Sequence, residues 1–503
     1  MAVAFKTIPS NLRIPGVFNE FAEPVGIGGA NLRALLIGQT INALPVGPQL
    51  APSLDAVKAL CGTGSILAQM MYEYRQNDPL GEVWILPLAD AGGAVAATGT
   101  VAFTGPATAA GTLALYVDDV AVNVAVAAAQ TATALGTAVA AAINALPNLP
   151  VTATAATGTV TLTAKNKGTL GNDIDIRMNY QGAAGGEMTP AGIAVTITPM
   201  ASGATDPDLA TALATLSSMP FDFIAMPYTG ATDLGEMTAF MNNTTGRWSW
   251  SQMLFGHVFS AKRGAVAPAT RATALTNLVT FSGAGAVNDA HLSVVPVYDS
   301  PTNIWKHAAG MTAFAAVAVR ADNAPPPFQT GTIAGIKAPP PASRWSQSDQ
   351  QTLLTNGLAP FNYAADGTVS ILRAITTYQL DLEGQPDASY LDCETMFALA
   401  AFVRFIRQRL QTKFARCKLA ADGTNFGAGS SSIVTPKIAR AEILACFQNM
   451  IDLGWVQDIA GFSASLDVEI DGTDPTRLDM LIPANIIPGL HVMASQTQLN
   501  LGG

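Results

Sequence analysis

Four histidines, four cysteines and a few neighbouring carboxylates are the residues of this 503-residue chain with the types that chemistry needs. His257, His291, His307 and His491 stand far apart and match no HExxH or other metal-ligand spacing. Cys61, Cys393, Cys417 and Cys446 show neither CxxC pairs nor the density of a disulfide framework, and read as buried or idle thiols of a reducing cytoplasm. Gly62-Thr63-Gly64 precedes a helical pattern as a phosphate-binding turn would, but no Lys-Ser/Thr pair follows and the Gly-rich fingerprint is absent. Gly427-Ala-Gly-Ser-Ser431 lacks the closing glycine of a nucleophile elbow. Of the carboxylate pairs, Asp118-Asp119 reads as a loop and Asp392/Glu394 as the start of a helix. None of these constellations has the geometry of a catalytic site, so the expectation is no enzyme, no metal and no cofactor.

The charged residues with a readable arrangement are cations on one long helix. Ser389 or Asp387 can cap it, Asp392 and Glu394 favour its positive end, and Arg409, Lys413 and Arg416 its negative end. Leu399, Val403, Ile406, Leu410 and Phe414 recur at helical spacing as one stripe to bury. Arg404 and Arg407 flank it on one side, and Arg409, Lys413 and Arg416 on the other, leaving two basic edges to face a partner. The other reading is a solvated helix with ordinary surface arginines.

The chain as a whole is acidic, with a formal net charge of −10, which argues against a nucleic-acid binder. Its 49% hydrophobic and 12% charged residues suit a large buried core, and its length suits two to four domains. No secretion signal opens it. The uncharged run 120–164 is broken by Asn123, Gln130, Pro147 and Pro150 and half of it alternates like strands, so no membrane insertion is expected.

Along the chain, residues 1–24 carry Pro9, Pro15 and Pro24 and alternate at Val3, Phe5, Ile14 and Val17, the pattern of an extended arm. Strand, helix and strand patterns over 32–88 resume at Asp206, whose carboxylate is the expected helix cap, and continue to Arg320. That alternation predicts a mainly parallel sheet covered on both faces. Between them the composition shifts to Ala, Thr, Gly and Val, with short strands and one helix over 131–146: a β-rich insertion. Further on come a strand over 252–259, a helix over 268–279, a strand over 369–378, a helix over 437–453, a hairpin at Leu466–Ile482 and a last strand over 490–501. The predicted organisation is therefore a multidomain α/β (α+β overall) chain: an arm at 1–24, an α/β domain of 25–90 with 201–345, an inserted domain at 91–200, a C-terminal domain at 346–487 and a terminal arm strand at 488–503.

Ser389-Tyr-Leu-Asp-Cys-Glu-Thr395, Arg404-Phe-Ile-Arg-Gln-Arg409, Lys413-Phe414, Asp422-Gly-Thr424 and Ile433-Val-Thr-Pro436 resemble the C-terminal core of contractile tail sheath proteins of Mu-like phages. Ile14-Pro-Gly-Val17, Leu35-Leu-Ile-Gly38 and Glu82-Val-Trp84 extend the resemblance to the N-terminus in the same order. The resemblance implies a subunit that polymerises helically with copies of itself around an inner tail tube protein, meets baseplate and tail terminator proteins, is assembled in the host cytoplasm and resides in the virion tail. It also implies inter-subunit arms, here Val3, Phe5, Ile8, Ile14 and Val17 at one end and Leu490, Val492, Leu499 and Leu501 at the other. Arg404, Arg407, Arg409 and Lys413 are the expected tube-facing contacts. The sheath of a phage-derived bacteriocin or injection system is the alternative; an α/β nucleotide-binding enzyme and a surface-layer assembly protein are the readings from other classes.

Overall fold

The computed structural model describes residues 32–266, 269–425 and 432–498. Val3, Phe5, Ile8, Ile14, Val17, Leu499 and Leu501 lie outside the described residues.

Ser53 and Ser65 accept bonds from Ala56 and Ala68 N–H and so start two consecutive helices. The first unit is then β1 (Ala34–Gln39), β2 (Gln49–Leu50), α1 (Leu54–Cys61), α2 (Ile66–Asn77) and β3 (Val83–Leu88). The following stretch, poor in charge and rich in Thr and Val, alternates in and out and builds only antiparallel pairs. It comprises β4 (Thr98–Thr104), β5 (Gly111–Val117), β6 (Val120–Val126), α3 (Ala132–Asn144), β7 (Val151–Ala156), β8 (Thr159–Ala164), β9 (Ile176–Met178) and β10 (Ala194–Ala201). One sheet runs β10-β4-β8-β7, the other β6-β5-β9, and α3 packs against strands of both.

Alternation of helix and strand then returns with α4 (Leu209–Ala214), β11 (Phe223–Ala225), α5 (Ala231–Met241), β12 (His257–Arg263), α6 (Arg271–Ser282), β13 (Leu292–Val297) and α7 (Ile304–Ala321). These strands join the first unit in a six-stranded sheet of order β13-β12-β11-β1-β3-β2, parallel except for the short β2 against β3. Residues 34–37 of β1 are wholly buried, as the continuous apolar run of a central parallel strand requires. α2 and α7 pack on each other and on this sheet. Gly310 of α7 lets the segment at Ile333 lie against the helix, since a Cβ there would stand 2.9 Å from Ile333. The mixed α/β class expected from the sequence is borne out.

Some boundaries differ from expectation, each because a side chain or strand is engaged elsewhere. Asp206 does not cap α4; it accepts from Thr169 N and Oγ1, and Asp208 caps the helix instead. The strand expected over 252–259 begins only at His257, because Gln252 N and Met253 N bond to Ser249 O and Leu254 N to Arg247 O, folding the preceding residues into turns. The strand expected over 369–378 stops at Ile371: Thr376 N bonds to Leu391 O and Thr377 N to Leu292 O, outside the hairpin.

Asp118 and Asp119, expected as a plain loop, form the turn between β5 and β6 and are docked on α7. Lys306 Nζ lies 2.7 Å from Asp118 and 2.8 Å from Asp119. Gln69 links Asp118 to Trp305. Arg177 adds a second tie, to Asp175 and across to Asp299. Burial works against the charge on Lys306, but the two aspartates outweigh it and hold the ammonium protonated. Beside them Glu73 is buried and raised to about 8, chiefly by burial and against the pull of Lys306. Its carboxyl lies under Gly335, where φ is +88° and a Cβ would stand 2.3 Å from Oε1.

Lys306→Met would leave two aspartates without their cation and is expected to cost ~3–5 kcal/mol in urea unfolding, whereas a neutral result would mean the cluster does not bind the insertion to the sheet. Glu73 holds a proton in the folded state that the unfolded chain releases, so its contribution to stability is complete below the ordinary carboxylate range and is lost as pH rises through about 8. The melting temperature should fall between about pH 5 and about pH 9, and Glu73→Gln should flatten that fall; equal slopes in the two proteins would contradict it.

Candidate functional site

After α8 (Gln347–Thr355), closed by the reciprocal cap of Ser346 and Asp349, and the hairpin β14 (Phe361–Tyr363) and β15 (Val369–Ile371), the chain enters α9 (Cys393–Phe414). It continues through β16 (Lys418–Leu419), β17 (Ile433–Val434), α10 (Pro436–Asp452), α11 (Ile459–Ser465), β18 (Asp467–Ile470) and β19 (Leu478–Leu481). Thr435 caps α10 through its side chain, with Pro436 in the first turn.

Ser389 and Asp387 do not cap α9. Asp387 accepts from Ser389 and from Tyr378 OH, making the turn before the helix, and Asp392 occupies the cap position. The Asp392 carboxylate is taken by Arg373 in a two-pronged contact of 2.7 and 2.9 Å. The buried face is also rotated from the expected stripe. Met396, Phe397, Ala400, Ala401, Phe402 and Phe405 are buried, and of the expected set only Ile406 is; Leu399, Val403, Leu410 and Phe414 are half-buried. Phe397 decides this by packing among Phe223, His257, Phe259 and Phe328. The helix is thus apolar on two sides: Phe397 faces the sheet, while Phe402 and Phe405 pack on Phe447 and Trp455.

Three of the four expected tube-facing cations are engaged within the chain. Arg404 bonds to Asp222 at 2.5 Å and to Phe255 O at 3.1 Å. Arg409 lies 2.5 Å from Glu442 of α10, and Lys413 also contacts Glu442. Burial pushes the Glu442 carboxyl up, but the two cations outweigh it and hold it below the usual range. Arg407 is exposed and makes no ion pair among the described residues; the same holds for Arg416. Sequence reasoning missed Asp222 and Glu442, whose partners lie 182 and 33 residues away.

The hairpin β18–β19 follows the predicted alternation, pairing Asp467 with Leu481 and Ile470 with Leu478. Its turn is shaped by Asp471, which accepts from the Thr473 and Asp474 amides. Among the described residues it gains no third strand, and Leu481 is 68% exposed. The strand expected from Leu490 is absent over residues 490–498. The tail pairs only at its root, where Gln457 N bonds to Asn485 O and Ile487 N to Trp455 O. Beyond it Leu490, Val492 and Met493 are 65%, 76% and 86% exposed.

Elsewhere the reactive residues are structural. His257 bonds to Ser293, His291 to Asn243 and His307 to the Asn303 carbonyl, and burial lowers all three, His257 and His307 to about 3. Burial raises the Cys61 thiol to about 12. The start of α2 after Gly62-Thr63-Gly64 is already occupied by Asn166 Oδ1 on Ile66 N and Ser65 Oγ on Ala68 N. Among the described residues no group of three or more His, Cys, Asp and Glu is placed to hold a metal, and no helix is long and apolar enough to cross a membrane.

The described surface displays an open hairpin and an exposed apolar tail. The profile of the phage tail sheath protein central domain matches residues 202–377. The Mu-like prophage FluMu tail sheath protein of Haemophilus influenzae is 34% identical over 507 residues, covering all of both chains. The chain belongs to the phage tail sheath protein family, as its terminal motifs implied, and the role of that family is structural rather than enzymatic. Among solved structures, the sheath tail protein of Desulfitobacterium hafniense is similar with a TM-score of 0.46 and 14% identity, covering 94% of this chain and 97% of that one. The anti-feeding prophage helical sheath in its contracted state has a TM-score of 0.47 and 12% identity, over 97% and 99% of the two chains.

Arg404→Gln would strand the buried Asp222 carboxylate and should lower unfolding free energy by ~1–3 kcal/mol. Arg407→Gln should stay within ~0.5 kcal/mol. Chemical denaturation of both variants checks this, and equal effects would mean Arg404 has no structural duty.

Proposed function

We propose that this sheath protein polymerises helically around an inner tail tube in the virion tail, and that the array contracts to drive the tube through a host envelope. The observation that carries the reading is the hairpin β18–β19, a two-stranded sheet whose outer edges have no partner among the described residues, beside a tail that exposes Leu490, Val492 and Met493. A strand edge is a row of unpaired N–H and C=O groups, and an extended segment of another copy satisfies it. The N-terminal residues Val3, Phe5, Ile8, Ile14 and Val17 of one neighbour and Leu490, Val492, Leu499 and Leu501 of another are the strands we assign to it. Four such bonds at ~0.5–1.5 kcal/mol each give a link of several kcal/mol before side-chain burial.

Residues 346–487 form the inner layer in this reading, 25–90 with 201–345 the middle, and 91–200 the outer surface. Contraction is a rigid-body rearrangement in which the arms bend and domain faces exchange contacts, without ATP. Of the cations on α9, Arg407 is the one free to meet the tube directly. Arg404 on the same flank is paired to Asp222, and Arg409 and Lys413 on the opposite flank are paired to Glu442. Baseplate and terminator proteins cap the array at its ends. The same reading fits the sheath of a phage-derived bacteriocin.

Deleting residues 1–18 should leave a folded monomer that forms no sheath in electron micrographs; helical tubes growing normally from the truncated chain would refute the arm. Arg407→Gln should weaken co-assembly with the tube protein and leave tube-free polymerisation intact.

A further inference from the structure

The tail does not leave the body at its last backbone bond. Ile487 N bonds to Trp455 O, and Pro488 and Gly489 then carry the chain over the proline strap at 325–327. Gly489 permits that crossing, since a Cβ there would stand 2.6 Å from Pro327 and 3.0 Å from the His491 ring. Gln329 Nε2 donates to Leu490 O at 3.0 Å. The His491 ring lies with Nδ1 3.3 Å from Gln329 Oε1 and Nε2 3.5 Å from Asp392 Oδ2. Its side chain is 8% exposed, while every other residue from 487 to 498 is exposed. It closes over a cavity of about 310 Å³ lined also by Glu394, Trp455 and Ile487. Asp392 cannot drift from the ring, because Arg373 holds its carboxylate and its backbone opens α9.

We propose that His491 is the positioning residue that fixes where the C-terminal arm leaves the subunit, an inference that rests on the reading of this tail as an inter-subunit arm. A histidine whose ring lines a cavity and whose one N–H can donate to Gln329 or to Asp392, and to both when the ring is protonated, is a side chain seated in a socket, in contrast to the bare leucine, valine and methionine around it. With the ring seated, the free arm begins at Val492. Without it, the root retreats to Ile487, and four more residues give ~13 Å of slack in an extended chain. A subunit linked to its neighbour through that arm would then shift by the same order before pulling on it. The seat also passes the pull on: through Asp392 to the first turn of α9, and through Gln329 to the segment after the proline strap.

The test uses the full chain with a nitroxide at Met493→Cys in a Cys417→Ser background, comparing His491→Ala, Gln329→Ala and the double variant. The expected result is a mobile spectral fraction about threefold larger in each single variant, no further gain in the double, and a melting temperature unchanged within about 1 °C. An unchanged spectrum in His491→Ala, or additive gains in the double variant, overturns the proposal. Polymerisation separates this from the arm reading. A chain ending at His491 should form no sheaths, and His491→Ala should raise the critical concentration about fivefold. If the truncated chain polymerises like the full one, the arm reading fails, while the spectra still decide whether His491 seats the tail.

Discussion

Every strand has two edges, and each edge must find donors and acceptors. In the six-stranded sheet this requirement is met within the chain along the β13 edge. The outer edge of β13 is closed by Ala359 N on Val294 O at 2.9 Å and by Thr377 N on Leu292 O at 2.8 Å. Two segments from beyond α7 are thereby drawn back to the sheet, which is why the strand from Val369 ends early. The hairpin near the C-terminus meets the same requirement only along its inner ladder. One physical rule thus gives a self-sufficient body and an open hairpin, and a polymer needs both.

Charge follows a similar division. Several of the ionisable side chains inside are paired: Lys306 with two aspartates, Arg177 with Asp175 and Asp299, Arg404 with Asp222. Apart from Arg177 with Asp175, each pair spans elements far apart in sequence, so the ions register one unit against another more than they add net stability. The tie between Asp118-Asp119 and α7 makes the antiparallel sheets of residues 98–201 a docked part of the structure.

Much of this was legible beforehand, for physical reasons. Caps such as Ser53, Ser65, Thr131 and Thr435 act within a turn, and alternation within a strand is local, so helices and hairpins could be read from short windows. The turn after Ile470 was readable for the same reason. What could not be read were contacts over long separations. The diversion of Asp206 to Thr169, of Asp392 to Arg373 and of Glu442 to Arg409 and Lys413 depends on which surfaces meet. The helix α9 is the clearest case. Its wheel shows two apolar sides, and periodicity cannot say which one the body takes; the cluster of Phe223, Phe259 and Phe328 around Phe397 chose.

The uneven burial of α9 has an evolutionary consequence. Its first half is fastened by aromatic packing and by Arg404, whereas the turns from Arg407 to Phe414 are held mainly by Glu442 and are otherwise open. Substitutions in those turns leave the core intact as long as the Glu442 contacts survive. A lineage can therefore change the surface of this end of the helix, one residue at a time, while the architecture that carries it stays the same.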